Sequence, residues 1–199
     1  MLASGGGTNL QAILDKLHAE DGFEVVAVAS DKPKARALER ARKAGVETEI
    51  FARAQGEDRE ARDAVMAEWL AGHKPDLIVL AGYMQLLSPG FVERFGEQGI
   101  VNVHPALLPS FPGIESIQQA LDHGVRVTGV SVHFVDEGVD SGPIILQSAV
   151  AVPESRDLEE TEEQIHAAEH ELLPEAIRLI AAGRVSLDPD NPRVVKISQ

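Results

Sequence analysis

The chain has 199 residues, 44% apolar and 25% charged, which suits one large domain with a substantial core. Its formal net charge of -14 works against binding along a phosphate backbone, so no nucleic-acid partner is expected. Cysteine is absent, which excludes disulfides, thiolate nucleophiles and cysteine metal sites, and no apolar run is long enough for a membrane span. With no leader-like segment at its start, the chain is expected to be cytoplasmic.

Met1 to Ser4 reads as a first strand, short against the usual length of about five or six residues, which fits a native start further upstream. Ser4-Gly5-Gly6-Gly7-Thr8-Asn9 then leads into Leu10 to Leu14, where the apolar spacing is helical. Thr8 and Asn9 are candidate caps. The segment is either a tight strand-to-helix turn or a glycine turn that offers helix N–H groups to a phosphate. Phe23 to Ser30 is nearly continuous apolar, as in a strand buried on both faces of a parallel sheet, and Asp31 and Pro33 stop it. A helix over 35–44 ends at Gly45, and a short strand over 46–51 follows. The helix over 59–73 offers Ala64, Val65, Ala67, Trp69 and Leu70 to the core, with Trp69 read as packing.

Pro75 to Gly82 is the clearest buried strand and is expected to lie centrally. Tyr83-Met84-Gln85-Leu86-Leu87 follows its carboxyl end, where open parallel sheets bind ligands. Ser88-Pro89 starts a helix as a cap and first-turn proline, and Ile100 to Val103 returns to the sheet. This alternation predicts an α/β fold with a doubly wound, mostly parallel, Rossmann-like sheet. Beyond a helix over 114–123, residues 130–135 alternate, placing Ser131 and His133 on one face of a partly open antiparallel strand. An acidic, glycine-rich loop over 136–143 and a strand over 144–152 follow. The amphipathic helix over 158–182 contains Pro174, expected to kink or break it, and an antiparallel hairpin of 185–187 with 194–197 ends the chain.

Asn102-Val103-His104-Pro105-Ala106-Leu107-Leu108-Pro109 stands out because it puts an amide, an imidazole and two prolines at the end of a buried strand, where polar side chains must find partners. Imidazole moves protons near neutrality, and an Asn N–H can hold negative charge developing on an oxygen, which together suit acyl transfer to an amine. Asp140 is the candidate to orient His104, since an adjacent carboxylate favours the imidazolium. A metal site built from His104, His133, Asp136 and Asp140 is the rival, but no compact His-x-x-x-His or Glu-x-x-His spacing supports it, and Gly-x-Ser-x-Gly is absent. His18, His73, His123 and His166 are read as structural; His170 is left open.

Together with Leu80 to Pro89 and Ser131 to Pro143, the glycine turn and the Asn102 to Pro109 stretch closely resemble the glycinamide ribonucleotide branch of the 10-formyltetrahydrofolate-using formyltransferases, nearly end to end. The resemblance implies a single formyltransferase domain over 1–199, with a nucleotide- and phosphate-binding half (1–101) and a catalytic, folate-binding half (102–199). It implies Asn102, His104 and Asp140 as the catalytic set and a cis peptide at Leu108-Pro109. Gly6, Gly7, Thr8, Asn9 and Glu169 would hold the phosphoribosyl amine. Arg59, Met84, Gln85, Leu86, Leu87, Asn102, Val135, Asp136, Glu137 and Asp140 would take the folate, with Ser131, His133 and Pro109 in support.

The implied reaction moves the formyl group of 10-formyltetrahydrofolate, a co-substrate, to the amine of glycinamide ribonucleotide in purine biosynthesis, without a metal or redox cofactor. The expected partners are those two small molecules, with no nucleic acid or membrane, in a monomer or homodimer. Gln85 stands where the family commonly has Arg, Ser110 where Lys is frequent, and Glu115 and Ile117 where His often occurs. The alternatives kept open are 10-formyltetrahydrofolate hydrolysis, formyl transfer to Met-tRNA, and a non-catalytic folate- or nucleotide-binding module.

Overall fold

Along the first half of the chain, apolar runs become short parallel strands and the amphipathic runs between them become helices. The computed structural model describes residues 1–18, 20, 22–52, 58–96 and 99–198, which divide into two units, Met1–Asn102 and Val103–Gln199.

In the first unit, β1 (Ala27–Ser30) pairs in parallel with β2 (Glu47–Ile50), Ala27 opposite Glu47, and α2 (Arg36–Lys43) is the crossover between them. Leu2, fully buried, bridges in parallel to Ala29 of β1 and to Leu80 of β3 (Ile78–Ala81). The expected first strand is therefore a single bridging residue, although Leu2 N–H donates to Val79 O at 2.9 Å and Ala3 N–H to Ala29 O at 3.1 Å. The strand expected from Phe23 begins only at Ala27, because Val25 gives its N–H to the His18 ring (3.1 Å) instead of a ladder.

Helix α1 (Thr8–Lys16) is capped by Gly7 in the left-handed conformation (φ 70), without a side-chain bond. Thr8 and Asn9 thus lie inside the first turn and do not cap it. A core of Ala3, Leu10, Leu14, Val28, Ala37, Leu38 and Val46 joins this helix to β1 and α2.

The helix α3 (Arg59–Gly72) is capped by Asp58, but its buried side differs from the expected one. Arg62, Asp63, Met66, Ala67 and Leu70 point inward, whereas Ala64 and Val65 are exposed, Val65 by 63%. Trp69 packs on Phe51 and His73. Ser88 accepts from Phe91 N–H and starts α4 (Pro89–Arg94) with proline in the first turn, as its sequence predicts. The Ile78 amide donates to Gly99 O, beside the start of β4 (Ile100–His104).

The second unit is built on β5 (Val127–Phe134) and β6 (Ile144–Ala151), antiparallel, with a register shift between Val132 and His133 that sets His133 opposite Ile144. The strand expected to be partly open is buried on both faces from Thr128 to His133, and its polar Ser131 and His133 side chains find internal partners. Helix α6 (Leu158–Ala181) packs on β5, β6 and α5 (Ser116–Asp122). It runs through Pro174 as one helix, so the proline does not break it. A proline removes one helical N–H, and the buried Leu172, Leu173, Ala176 and Ile177 around it hold the turn against the core. The hairpin of β7 (Val185–Leu187) and β8 (Val195–Ile197) is antiparallel, as expected. Among the described residues no helix is long and apolar enough to cross a membrane.

Candidate active site

Asn102 and His104 lie two residues apart on β4, so their side chains leave the same face of the strand. His104 is buried at 4% exposure, Asn102 half-buried. Past His104 the chain turns at once, Ala106 N–H donating to His104 O (2.9 Å), and the Leu108-Pro109 peptide is cis. Ser131 fastens this turn to β5: its hydroxyl donates to Ala106 O (2.7 Å) and accepts from Leu108 N–H (3.0 Å) and from Gln147 Nε2 (2.9 Å). Gln147 also donates to Leu108 O at 3.0 Å.

Asp140 comes from the loop between β5 and β6. Phe134 N–H closes that loop on Pro143 O (2.9 Å), and the Asp136 carboxylate accepts from Gly138 N–H (3.0 Å) and the Ser141 hydroxyl (2.7 Å). Glycine is required at Gly142, where a Cβ would strike the backbone carbonyl of Phe134, while one on Gly138 would displace the Ser141 hydroxyl. The loop sets Asp140 in the left-handed region (φ 49), which Asp and Asn tolerate better than most residues.

The Asp140 carboxylate stands between two imidazoles, Oδ2 at 3.3 Å from His104 Nδ1 and Oδ1 at 3.5 Å from His133 Nε2. Gly113 N–H adds a bond to Oδ2 at 2.8 Å. Burial opposes the charge, but the His133 hydrogen bond, the Gly113 amide and the attraction of both imidazoles outweigh it, so Asp140 titrates below the ordinary carboxylate range. His104 Nε2 lies 2.8 Å from Phe111 O and His133 Nδ1 lies 2.8 Å from Phe134 O. Each ring thus faces an acceptor at both nitrogens. A neutral imidazole satisfies only one of them, and the doubly protonated ring satisfies both. The arrangement can hold a positive imidazole against a fixed negative charge and move a proton between them.

The structure therefore brings together His104, Asp140, His133 and, through the turn, Ser131 and Pro109. Asp136 is tied within its own loop, Val135 is half-buried and Glu137 exposed. Among the described residues no group of three or more His, Asp or Glu side chains is arranged to hold a metal ion. Glu169 is 3% exposed on α6, its Oε2 at 2.9 Å from Nδ1 of the half-exposed His166. That hydrogen bond raises the affinity of His166 for its proton, against partial burial and with further help from the Glu169 and Glu162 charges. Ile117, one of the departures from the family pattern, is buried in the core, while Ser110 and Glu115 are exposed.

In the first unit the glycine turn is open on one side and closed on the other. Gly5 and Gly6 have free space around them, whereas Gly7 packs on Ala37 too closely for a Cβ. Arg40 Nε donates to Gly6 O (2.9 Å) and its Nη1 to Gln11 (2.9 Å), so α2 holds the turn in place. Asn9 is buried at 8% and Thr8 exposed. After β3, Met84 and Leu86 are exposed, Gln85 and Leu87 half-buried, and Arg59 is half-buried at the start of α3. Met84 N–H donates to the Ser4 hydroxyl at 2.8 Å.

The sequence reasoning missed Arg62, Gly113 N–H and Phe111 O. The two backbone groups carry no residue-type signal at all. Arg62 and Asp63 share the helical spacing of Met66, Ala67 and Leu70, and that stripe was the signal that could have found them.

Residues 1–177 match the formyl transferase family. The chain is 40% identical to the phosphoribosylglycinamide formyltransferase of Bacillus subtilis (strain 168) over 179 residues, 89% of this chain and 91% of that protein. It is 40% identical over 200 residues to the trifunctional purine biosynthetic protein adenosine-3 of Bos taurus, covering all of this chain but only 20% of that much longer one. The crystal structure of glycinamide ribonucleotide transformylase 1 from Symbiobacterium toebii is similar with a TM-score of 0.92 and 48% identity, over 100% of this chain and 92% of that one.

Proposed function

The chain belongs to the formyl transferase family, and from that premise we propose that it transfers the formyl group of 10-formyltetrahydrofolate to the amine of glycinamide ribonucleotide. The products are the N-formyl ribonucleotide and tetrahydrofolate. The observation that carries this reading is the Asp140 carboxylate held between His104 and His133, with Asn102 two residues before His104 on the same strand.

The amine nitrogen attacks the formyl carbon, and the carbonyl oxygen becomes an oxyanion. Asn102, through its amide N–H, and protonated His104 stabilise that oxygen. In the free protein the Nε2 proton of His104 already has an oxygen acceptor at 2.8 Å, the carbonyl of Phe111, and the oxyanion takes over that role. Asp140, 3.3 Å from Nδ1, orients the imidazole and balances the positive charge it carries in this step. When the tetrahedral intermediate collapses, the carbon–nitrogen bond to the folate breaks, and the proton lost by the amine reaches the departing nitrogen by way of His104, Asp140 and water.

For the other residues singled out in the sequence, the same reading assigns Gly6, Gly7, Thr8, Asn9 and Glu169 to the ribonucleotide. It assigns Arg59, Met84 to Leu87 and Val135 to Glu137 to the folate. The test is tetrahydrofolate release from 10-formyltetrahydrofolate with and without the ribonucleotide. Release that depends on the ribonucleotide is expected. Equal release without it would make the protein a hydrolase, and folate binding without release would make it a binding module.

A further inference from the structure

Arg62 is the one arginine on α3 that is almost wholly buried, at 3% exposure, beside an Asp63 that is fully buried. Removing a guanidinium and a carboxylate from water is unfavourable unless their hydrogen-bonding groups are engaged, so the partners of this pair show what it organises. Arg62 Nε lies 2.8 Å from Asp63 Oδ1. The two terminal nitrogens reach out to the loop after β3: Nη1 donates to the Gln85 side-chain oxygen and Nη2 to the carbonyl of Leu86, each at 3.3 Å. The second Asp63 oxygen accepts the backbone N–H of Ser88 at 2.6 Å, where α4 begins. The Gln85 amide passes the connection on, donating to the buried Asp31 carboxylate at the end of β1 (3.0 Å).

From these contacts we infer that Arg62 is a positioning residue for the formyl donor. With Asp63 it clamps the Gln85–Ser88 segment from one helix and fixes the backbone groups offered to the folate. The inference rests on the proposed function only in taking 84–87 as folate-binding. A planar guanidinium serves three acceptors in different directions at once, which a lysine ammonium on a flexible stem does poorly. The residue at 85 fits the clamp: its amide oxygen meets Arg62 and its NH2 meets Asp31, whereas a cation there would offer the Arg62 guanidinium no acceptor.

The test pairs Arg62→Lys, which keeps the charge beside Asp63 but loses the fork, with Arg62→Met/Asp63→Asn, which removes both buried charges and retains an acceptor for Ser88 N–H. Binding of 5-formyltetrahydrofolate, a folate probe that needs no turnover, and of glycinamide ribonucleotide is measured by calorimetry, together with kcat and both KM values. The folate Kd and the KM for 10-formyltetrahydrofolate should rise about tenfold, with kcat and the ribonucleotide KM within about twofold of wild type. A folded variant with wild-type folate affinity, or one in which both KM values rise together, overturns the inference. Loss of folding in both variants overturns it too, since the pair would then be a core element only. A wild-type protein that binds folate but transfers no formyl group refutes the proposed reaction, while the folate Kd still decides the role of Arg62. One that binds no folate refutes both.

Discussion

Replacing Asp140 by Asn removes the charge at the centre of the site and leaves its shape. Asn accepts the left-handed backbone found there (φ 49), and its carbonyl can still take the Gly113 N–H. What is lost is a negative charge 3.3 Å from His104 Nδ1 and 3.5 Å from His133 Nε2. At an effective dielectric of about 20, unit charges this close attract by about 5 kcal/mol, which bounds the effect from above. A hydrogen bond to a charged partner contributes about 1.5–3 kcal/mol after competition with water, and this sets the working value. We therefore expect kcat to fall about 10²-fold, since 1.36 kcal/mol is a factor of about ten in rate. The assay is tetrahydrofolate formation with both substrates saturating, from about pH 5 to about pH 9, with circular dichroism to confirm folding. A folded Asn variant turning over within about threefold of wild type, with an unchanged pH profile, would refute the role given to the carboxylate.

The stability effect of the same substitution has a definite sign. Asp140 titrates below its unfolded value of 3.8, so its charge stabilises the fold fully above that pH and ceases to do so as pH falls through the folded value. The gap in stability between wild type and Asp140→Asn should close on acidification.

Ser131→Ala should lower stability by about 2 kcal/mol in urea unfolding, because the buried Leu108 N–H loses its acceptor and the Ala106 carbonyl its donor; an unchanged midpoint would mean that water replaces the hydroxyl. His166 should titrate above 6.5 by NMR and return toward it in Glu169→Gln, since the Glu169 hydrogen bond is the first cause of its shift. With the folded value raised, the protonated pair stabilises the fold fully below 6.5, and that contribution is lost as pH rises through the folded value. A His166 titration unmoved by Glu169→Gln would remove the pair as its cause.

Local chemistry made much of this protein legible from its residues in order. Ser88-Pro89 started a helix and Gly45 ended one where cap and turn preferences require it. Of the run from Pro75 to Gly82, Ile78–Ala81 became a strand buried throughout, as expected where a strand is covered on both faces and uniformly apolar. The sequence places Asn102 and His104 at the end of a buried strand, and the shared face follows from β4 running on to His104. Three misreadings have one origin: Thr8 as a cap, Val65 as core, and Pro174 as a break. In each, a local preference was overridden by packing, by Gly7 against Ala37, by the burial of Arg62 and Asp63, and by the apolar side of α6.

The sequence by itself determined which groups are available: an imidazole, an amide and a carboxylate at loop and strand ends, in an acidic chain without thiols. Only the tertiary structure decided that Asp140 is shared by His104 and His133, that Gly113 and Phe111 contribute through their backbone, and that Arg62 turns inward to hold the loop after β3. The reason is physical. Element type follows from side chains a few residues apart, whereas a hydrogen-bond partner is chosen among groups tens of residues away, and backbone donors and acceptors are the same at every non-proline position until the fold places them.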